Sequence, residues 1–266
     1  MSIITLLTDF GTQDEYVGLM KGVILSINPQ AAVVDITHHI HSQDVVQAAL
    51  TIHASYRYFP AGSVHLIVVD PGVGTDRALL ALEKHKHFFI APDNGVLTRL
   101  LEDADAAKLM RISNSDFFLS PVSRTFHGRD IIAPVGAHLS KGVGLNKLGP
   151  EMDPQAAMRL DNLRARVLKN GDIIGKIIAI DHFGNLISNI EKAQLAPYGP
   201  AGPRTGLKIK IGSRVIQGLS ETYADVRPDA LLALIGSRGY LEIAVNCGSA
   251  ARNLKARQGD AVRVAV

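Results

Sequence analysis

Three loops in the first half of the chain combine carboxylates with glycines or histidines in patterns that could support chemistry. They are Thr8–Gly11 with the nearby Asp14, Asp35–His41, and Asp70–Arg77. Each follows a short apolar run, and ligands of a parallel sheet collect at the loops that leave the carboxyl ends of its strands. A carboxylate held there can accept two hydrogen bonds from a vicinal diol such as a ribose. For Asp9 and Asp14, however, spacing alone favours capping of the helix that follows.

The segment Asp35–His41 combines the residue types that bind transition metals. It contains His38, His39 and His41, and imidazole and carboxylate are common ligands of transition metals. Adjacent His38 and His39 in an extended segment should point to opposite faces, and no HExxH spacing is present. We therefore predict a polar loop with at most one functional histidine. A metal-dependent phosphoesterase that uses this segment is kept as an alternative.

Further polar clusters occur at Thr125–Asp130 (TFHGRD), Asp181–Asn185 and Gly236–Tyr240. His127 precedes a helical pattern over Ile131–Ser140, so we expect it to lie exposed at a helix N-terminus. A catalytic histidine and a structural loop histidine fit that position equally well. The other two clusters have the glycine and asparagine content of hairpin turns.

The common nucleotide and hydrolase motifs are missing from the sequence. It has no GxxxxGK[ST] phosphate loop, and Gly72-Val73-Gly74 lacks the third glycine of a dinucleotide fingerprint. No serine lies in a G-x-S-x-G nucleophile elbow. Cys247 is the one cysteine, and a lone cysteine beside an apolar strand is more often a small packing residue than a nucleophile. These residues alone predict a polar cleft but name no substrate.

Composition excludes several classes of protein. The 266 residues are 47% hydrophobic and 20% charged, which excludes a disordered, collagen-like or coiled-coil chain. No apolar run reaches the roughly 18 residues of a membrane-spanning helix, and the opening residues do not resemble a signal peptide. The net charge of +3 comes from scattered basic residues, so nucleic acid is not an expected partner. The single cysteine excludes an internal disulfide and favours the reducing cytoplasm.

Alternating strand and helix patterns should position the loops of the first half. Continuous apolar runs are typical of parallel strands that are covered on both faces, and the intervening segments have helical spacing. We therefore predict an α/β fold with a mainly parallel sheet. The predicted strands are Ile3–Thr8, Ala32–Ile36, Val64–Val69, Ala78–Glu83 and His87–Ala91, and the predicted helices are Val17–Ile27, Asp44–Tyr58, Val96–Glu102 and Ile131–Ser140.

The second half of the chain has a different periodicity. The pattern loosens over Gly142–Arg164, where we place the boundary between an N-terminal α/β domain (residues 1–160) and a C-terminal domain (161–266). Beyond it, period-two runs separated by turns predict a small antiparallel sheet or β-barrel. The alternating apolar residues are Leu207, Ile209 and Ile211 before the turn at Gly212-Ser213, and Val262, Val264 and Val266 at the end of the chain.

In chain order, the polar motifs resemble those of the S-adenosyl-L-methionine (SAM) hydrolases, or SAM hydroxide adenosyltransferases, which are related to the fluorinase and chlorinase enzymes. The motifs are LLTDFGTQDEYVGLMKG, VVDPGVGTDR, APDNG, TFHGRD, IDHFGNLISNI, TYADV and GSRGYLEIAVN. The resemblance implies an N-terminal mainly parallel α/β sandwich domain and a C-terminal antiparallel β-barrel. It also implies a homotrimer in which SAM lies between the N-terminal domain of one subunit and the barrel of the next. SAM would be the substrate, and no cofactor or metal is expected.

The resemblance also assigns roles to individual residues. The family hydrolases carry a catalytic Asp, Arg and His, and those motif positions hold Asp70, Arg77 and His127 here. The halide-using relatives have tyrosines where Asp70 and His127 stand, and the fluorinase has a serine at the position of Gly128. The chain therefore resembles an enzyme that uses water, and a halogenase is a weaker alternative.

The remaining assignments concern binding of the substrate. The resemblance implies that Asp9 accepts hydrogen bonds from the ribose diol and that Asp14 contacts the methionine amino group. In the barrel, Asp181 and Ser237 would hold the methionine end of SAM, with Arg238 beside its carboxylate. The adenine would be contacted by Asn185 and by the backbone amide of Cys247. The aromatic rings of Phe183 and Tyr223 would flank the adenosine. A protein that binds adenosine or SAM without turnover is the non-enzymatic alternative.

Overall fold

The computed structural model describes residues 2–102, 107–161, 163–198 and 206–265. These residues form two compact units, with the division between Leu160 and Asp161, and each unit has its own hydrophobic core. Val266, which we expected to continue the last alternating run, lies outside the described residues. No helix in the described part of the chain has the length and apolar character needed to cross a membrane.

The first unit is built on a six-stranded sheet with the order β2-β1-β3-β5-β4-β6. The neighbours β2/β1, β1/β3 and β3/β5 are parallel, whereas β4 pairs antiparallel with both β5 and β6. The mainly parallel sheet is thus confirmed, and β6 is a strand that the sequence pattern did not predict. The strands are β1 (Ile3–Thr8), β2 (Ala32–Thr37), β3 (Val64–Val68), β4 (Leu79–Lys84), β5 (His87–Pro92) and β6 (Lys108–Arg111).

Helices cover both faces of this sheet. On one face, residues of α1 and α4 pack against Ile4 and Leu6 of β1; on the other, α2 and α3 pack against Leu7. This double burial explains why β1 is apolar along its whole length. Gly136 lets α4 lie directly on β3, because a β-carbon at this position would overlap the side chain of Leu66. The helices are α1 (Tyr16–Ile27), α2 (Val45–Ser55), α3 (Thr98–Leu101) and α4 (Ala133–Ser140), and a π-helical turn over Gly128–Ile132 leads into α4.

The second unit is an antiparallel sheet that curls into a nearly closed barrel. Its path is β11-β10-β14-β8-β9-β13-β12, with β7 paired to β8, and a bridge between Ser220 and Leu234 brings the segment after β11 to β12. Ile209 and Ile211 are buried while Lys208 and Lys210 are exposed, as the alternation predicted. The strands are β7 (Arg166–Val167), β8 (Ile173–Ile180), β9 (Leu186–Glu191), β10 (Lys208–Ile211), β11 (Arg214–Gln217), β12 (Leu231–Ile235), β13 (Tyr240–Val245) and β14 (Ala261–Ala265), with α5 (Lys192–Leu195) and α6 (Ala250–Leu254).

Short 3-10 turns complete the described elements of both units. They lie at Tyr56–Tyr58, Ser115–Phe117, Leu145–Lys147, Pro154–Ala156, Ala196–Tyr198 and Tyr223–Asp225. The first of these turns continues the segment that was predicted as one helix over Asp44–Tyr58. Asp44 caps α2 by accepting a hydrogen bond from the backbone N–H of Gln47.

Candidate active site

Arg77 joins Asp70 to His127 in the first unit. Its Nε donates to both carboxylate oxygens of Asp70 at 2.8 and 2.9 Å, and its Nη2 also donates to Oδ2. The same Nη2 atom lies 2.9 Å from Nδ1 of His127. The side chains of Arg77 and Asp70 are only 9% and 5% exposed. The three residues predicted to be catalytic therefore form one connected cluster, in which Arg77 and Asp70 are nearly buried.

The protonation of His127 follows from this contact. A guanidinium can only donate hydrogen bonds, so Nδ1 of His127 must accept, which leaves the proton of the neutral imidazole on Nε2. Burial, followed by the positive charge of Arg77, lowers the pKa of His127 below its ordinary value of 6.5. The imidazole is therefore neutral at pH 7 and presents an N–H donor at Nε2.

Backbone packing brings the loop after β3 against the segment that carries His127. Gly74 has a positive φ of 80°, and a β-carbon there would overlap the carbonyl oxygen of Arg124. Glycine is thus required both for the turn and for the close approach. The side chain of Asn94, in the APDNG motif, donates to the carbonyl oxygen of Val69 at 2.8 Å and so fixes the strand end that carries Asp70.

His127 itself lies at the start of the π-helical turn and is half-buried. We expected an exposed residue, and the difference arises because Arg77 and the buried Phe126 draw this segment towards the sheet. Gly128 lies against β3: a β-carbon there would be 3.1 Å from Val68, a tight contact. The segment before His127 is fixed by Asp130, whose carboxylate accepts the backbone N–H of Ser123 at 2.7 Å.

Aromatic side chains connect this segment to the loop that contains Asp9. Phe10, Tyr16 and Phe126 form a triangle with ring centroids 5.2 to 5.6 Å apart, and two of the three contacts are edge-to-face. Such contacts fix ring orientation as well as burying apolar area. The TDFG and TFHGRD motifs are therefore parts of one packed region of the first unit.

The capping expectation for Asp9 and Asp14 is wrong. Helix α1 begins at Tyr16 with Glu15 in the capping position, and among the described residues no side chain makes the cap hydrogen bond. Asp9 instead accepts the backbone N–H of Gln43 at 2.8 Å with one oxygen. Asp14 is exposed.

The histidine-rich segment supports the Asp9 loop. His38 is 3% exposed, while His39 is exposed, so the predicted opposite orientation is confirmed. Nδ1 of His38 lies 2.9 Å from the hydroxyl of Thr8, and the carbonyl oxygen of His38 accepts the backbone N–H of Gly11 at 2.8 Å. Nε2 lies 3.0 Å from Asp35, close enough for an ion pair but at a poor angle for a hydrogen bond. In the described part of the chain, no three histidine, cysteine or acidic residues are grouped to hold a metal.

The second unit contains a cavity of about 690 Å³. All seven barrel residues that the resemblance singled out line it, although they come from four separate loops and turns. They are Asp181, Phe183, Asn185, Tyr223, Ser237, Arg238 and Cys247, and the rest of the lining is Ile187, Gly236, Tyr240, Glu242, Val245, Gly248 and Arg252.

Local turn chemistry positions the polar lining residues. Asp181 closes the β8–β9 turn by accepting the backbone N–H groups of Phe183 and Asn185 at 3.0 and 2.8 Å. This turn holds the Phe183 ring out into the pocket, where it is 74% exposed. Cys247 is exposed, with a positive φ of 58°, so the expectation that it packs beside a strand is wrong. It lies in the turn that follows β13 rather than within the strand.

Glu242 is the pocket residue that sequence reasoning missed most clearly. It lies within β13, a strand that is buried along its whole length, and is itself 7% exposed. A charged residue inside the run YLEIAV was a visible signal, because buried charges in strands need a specific partner. Here that partner is Tyr223, whose hydroxyl donates to Oε1 at 2.6 Å.

Comparison with known proteins gives the chain a family. The model of the SAM hydroxide adenosyltransferase N-terminal domain matches residues 4–149, and that of the C-terminal domain matches residues 175–263. The (R)-S-adenosyl-L-methionine hydrolase of Salinispora tropica is 37% identical over 266 residues, which cover 98% of this chain and 97% of the relative. The corresponding hydrolase of Thermus thermophilus is 36% identical, covering 97% of each chain.

A more distant relative and a solved structure are similar to the chain over nearly its whole length. The fluorinase of Actinopolyspora mzabensis is 30% identical over 289 residues, covering 98% of this chain and 96% of the relative. A crystal structure of a conserved protein from Thermotoga maritima is 34% identical and superposes with a TM-score of 0.89 over 100% of both chains. The resemblance found in the motifs is therefore confirmed, and the chain belongs to the SAM hydroxide adenosyltransferase family.

Proposed function

We propose that this protein hydrolyses SAM to adenosine and L-methionine by nucleophilic substitution at the ribose C5′ carbon. The observation that carries the proposal is the cluster in which the nearly buried Arg77 binds both Asp70 and His127. The names of the hydrolase relatives, at 35 to 37% identity, support the same substrate and reaction. A module that only binds SAM would gain nothing from such a cluster.

The reaction makes specific demands on the protein. A bond forms between a water oxygen and C5′, and the C5′–sulfur bond breaks with its electron pair going to sulfur. The attacking water loses one proton, which passes to the solvent. The leaving group is a sulfonium that departs as a neutral thioether, so it needs no acid. The difficulty lies with water, which is a weak nucleophile at neutral pH.

The residues of the cluster would orient the attacking water and stabilise the charge that develops on it. Arg77 stays protonated and would stabilise hydroxide character as the water attacks. The Nε2–H group of His127 would donate to the water oxygen and hold it in line, while Asp70 fixes Arg77 and offsets its charge. Both Asp70 oxygens and Nδ1 of His127 already accept hydrogen bonds from Arg77. This arrangement favours orientation and charge stabilisation over removal of the proton by a strong base.

The binding roles divide between the two units. In the first, Asp9 would accept the ribose diol and Asp14 the methionine amino group. In the second, Phe183 and Tyr223, which are 74% and 44% exposed, offer aromatic surface for the adenosine. Asn185 and the backbone amide of Cys247 would contact adenine, and Asp181, Ser237 and Arg238 the methionine end.

We further propose a cytoplasmic homotrimer in which each active site combines the first unit of one subunit with the barrel of another. The family resemblance supports this assembly, and the single exposed Cys247 suits a reducing compartment. The division of residues is consistent with it, because the catalytic cluster and the pocket lie in different units.

Incubation of the protein with SAM tests the proposed reaction directly. We expect adenosine and methionine in equal amounts by chromatography, with no loss of rate when a chelator is added. Loss of activity on chelation would favour the metal-dependent alternative, and binding without products would favour a SAM-binding module. Because fluorinases are relatives, the assay should be repeated with fluoride or chloride. A halogenated nucleoside would contradict the assignment to water.

Substitutions should separate catalysis from binding. His127→Ala and Arg77→Ala should lower kcat about 100-fold or more with little change in KM, because these groups act on the nucleophile. Asp9→Ala should mainly raise KM, since it removes a contact made equally in the ground state. Asp76→Ala, exposed in the same loop as Arg77, is the matched control and should behave as wild type. Equal effects on SAM binding from all three site variants would count against the roles.

The pKa of His127 predicts the acid side of the pH profile. Protonation at Nδ1 would break the hydrogen bond from Arg77, so activity should fall as pH drops through a pKa that lies below 6.5. NMR titration of His127 gives that pKa directly. In Arg77→Gln it should rise, because one cause of the lowering is removed while Asp70 still raises it. A midpoint above 6.5 in the wild type would refute the neutral Nε2–H form.

Mixing two inactive variants tests the shared active site. Co-expressed His127→Ala and Arg238→Ala chains would each supply the intact half that the other lacks. Random mixing in a cyclic trimer should restore about one quarter of wild-type activity, since about three quarters of trimers are mixed and each has one intact site in three. Trimers that contain both chains but stay inactive would show that each site lies within one subunit.

A further inference from the structure

Asp130 is a buried carboxylate of the first unit to which the proposed function gives no role. The residue is 1% exposed and lies three positions after His127, in the π-helical turn Gly128–Ile132. A buried carboxylate is costly unless hydrogen bonds and an opposite charge compensate it. Here Nε of Arg129 donates to Oδ1 at 2.6 Å, and Nη2 donates to Oδ2 at 3.0 Å. The charge is therefore compensated by a neighbour whose side chain is 34% exposed.

Asp130 also closes the loop that leads to His127. Its Oδ2 atom accepts the backbone N–H of Ser123 at 2.7 Å, and its carbonyl oxygen accepts that of Leu119 at 2.9 Å. Its own backbone N–H donates to the carbonyl oxygen of Phe126 at 3.1 Å. One residue thus ties the loop at its start, middle and end. Because His127 follows directly, the position of its backbone depends on these three bonds.

The ion pair of Arg129 and Asp130 also covers part of the aromatic region of the first unit. The guanidinium carbon of Arg129 is 5.2 Å from the centroid of the Phe126 ring, in a cation–π contact. Phe126 is buried and packs edge-to-face against Phe10 and Tyr16. Asp130 thus holds the cation over the ring that fixes the end of the loop.

Charged groups of both signs act on the imidazole of His127. Burial, as the largest cause, and the positive charge of Arg77 lower its pKa, whereas Asp70 and Asp130 oppose that shift. The carboxylate of Asp70 is itself bound by Arg77, so Asp130 is an anion outside that ion pair. A negative charge near the ring makes Nδ1 a stronger acceptor for the N–H group of Arg77. Arg129, in the same turn as Asp130, is the cation that weakens this effect.

We propose that Asp130 is a positioning residue for His127, holding the loop that aims the imidazole at Arg77 and offsetting the positive charge that Arg77 places beside it. The inference rests on the proposed function, in which His127 orients the attacking water. Without the loop bonds, the imidazole would lose its fixed approach to Arg77, and the water would lose its alignment. A small displacement of an orienting group lowers the rate of reaction more than it changes the binding of substrate.

Two substitutions separate the bonds of Asp130 from its charge. Asp130→Asn keeps an oxygen that can accept the N–H of Ser123 but removes the charge, whereas Asp130→Ala removes both. We expect Asp130→Ala to lower kcat about tenfold or more, with KM within about twofold of wild type. Asp130→Asn should lower kcat less, and the acid limb of its pH profile should move to lower pH. Asp116→Asn, exposed in the turn before the loop, is the matched control and should behave as wild type.

NMR titration of His127 in the substrate-free protein measures the effect of the charge without turnover. The pKa should fall in Asp130→Asn, which leaves Arg129 unopposed. It should rise in Arg129→Gln, which leaves the carboxylate of Asp130 uncompensated. A loop that was merely loosened would not shift the pKa in opposite directions in the two variants. If Asp130→Ala does not fold, these two variants carry the test.

The results distinguish this role from a purely structural one. A kcat of folded Asp130→Ala within about twofold of wild type would overturn the inference. A pKa of His127 that is the same in wild type, Asp130→Asn and Arg129→Gln would also overturn it. A wild type that shows the opposite pKa shifts but does not hydrolyse SAM would refute the proposed function alone. A wild type that hydrolyses SAM at a rate insensitive to Asp130 would refute only the role of Asp130.

Discussion

The first unit depends on one guanidinium that binds a carboxylate and an imidazole in a nearly dry position. Arg77 compensates the charge of Asp70, which is 5% exposed, and fixes the tautomer of His127 because it can only donate. Loss of Arg77 would leave a buried, unpaired anion, which is strongly destabilising. Gly74, Asn94 and the aromatic contacts of Phe126 all serve to bring the loops around this residue together.

The two units would serve the same proposed reaction in different ways, one by holding the nucleophile and the other by binding the substrate. The first holds charged groups rigidly at the ends of buried parallel strands, which suits the alignment of a small nucleophile. The second offers a wide pocket lined by exposed aromatic rings and by groups of both charges, which suits recognition of a large zwitterionic substrate. The leaving group needs no acid, so the chemical machinery can be limited to the water and the groups that hold it.

Much of the fold could be predicted because burial leaves a periodic signal. The apolar run of β1 and the alternation in β10 gave the sheet types correctly, whereas β6 (KLMR) has two buried residues between charged ones and no distinctive pattern. Less of the candidate site could be predicted from the sequence. Arg77 and His127 are 50 residues apart, and only a family resemblance could pair them. Asp9 was expected to cap α1, because spacing cannot show that the N–H of Gln43 reaches it.

The measurement that tests the central claim most directly is hydrolysis of SAM in oxygen-18 water, followed by mass spectrometry of both products. If the Arg77 cluster aims a water at C5′, the heavy oxygen must appear on the 5′-hydroxyl of adenosine, and methionine must stay unlabelled. Adenosine without the label, or label in methionine, would show that water does not attack this carbon and would contradict the account.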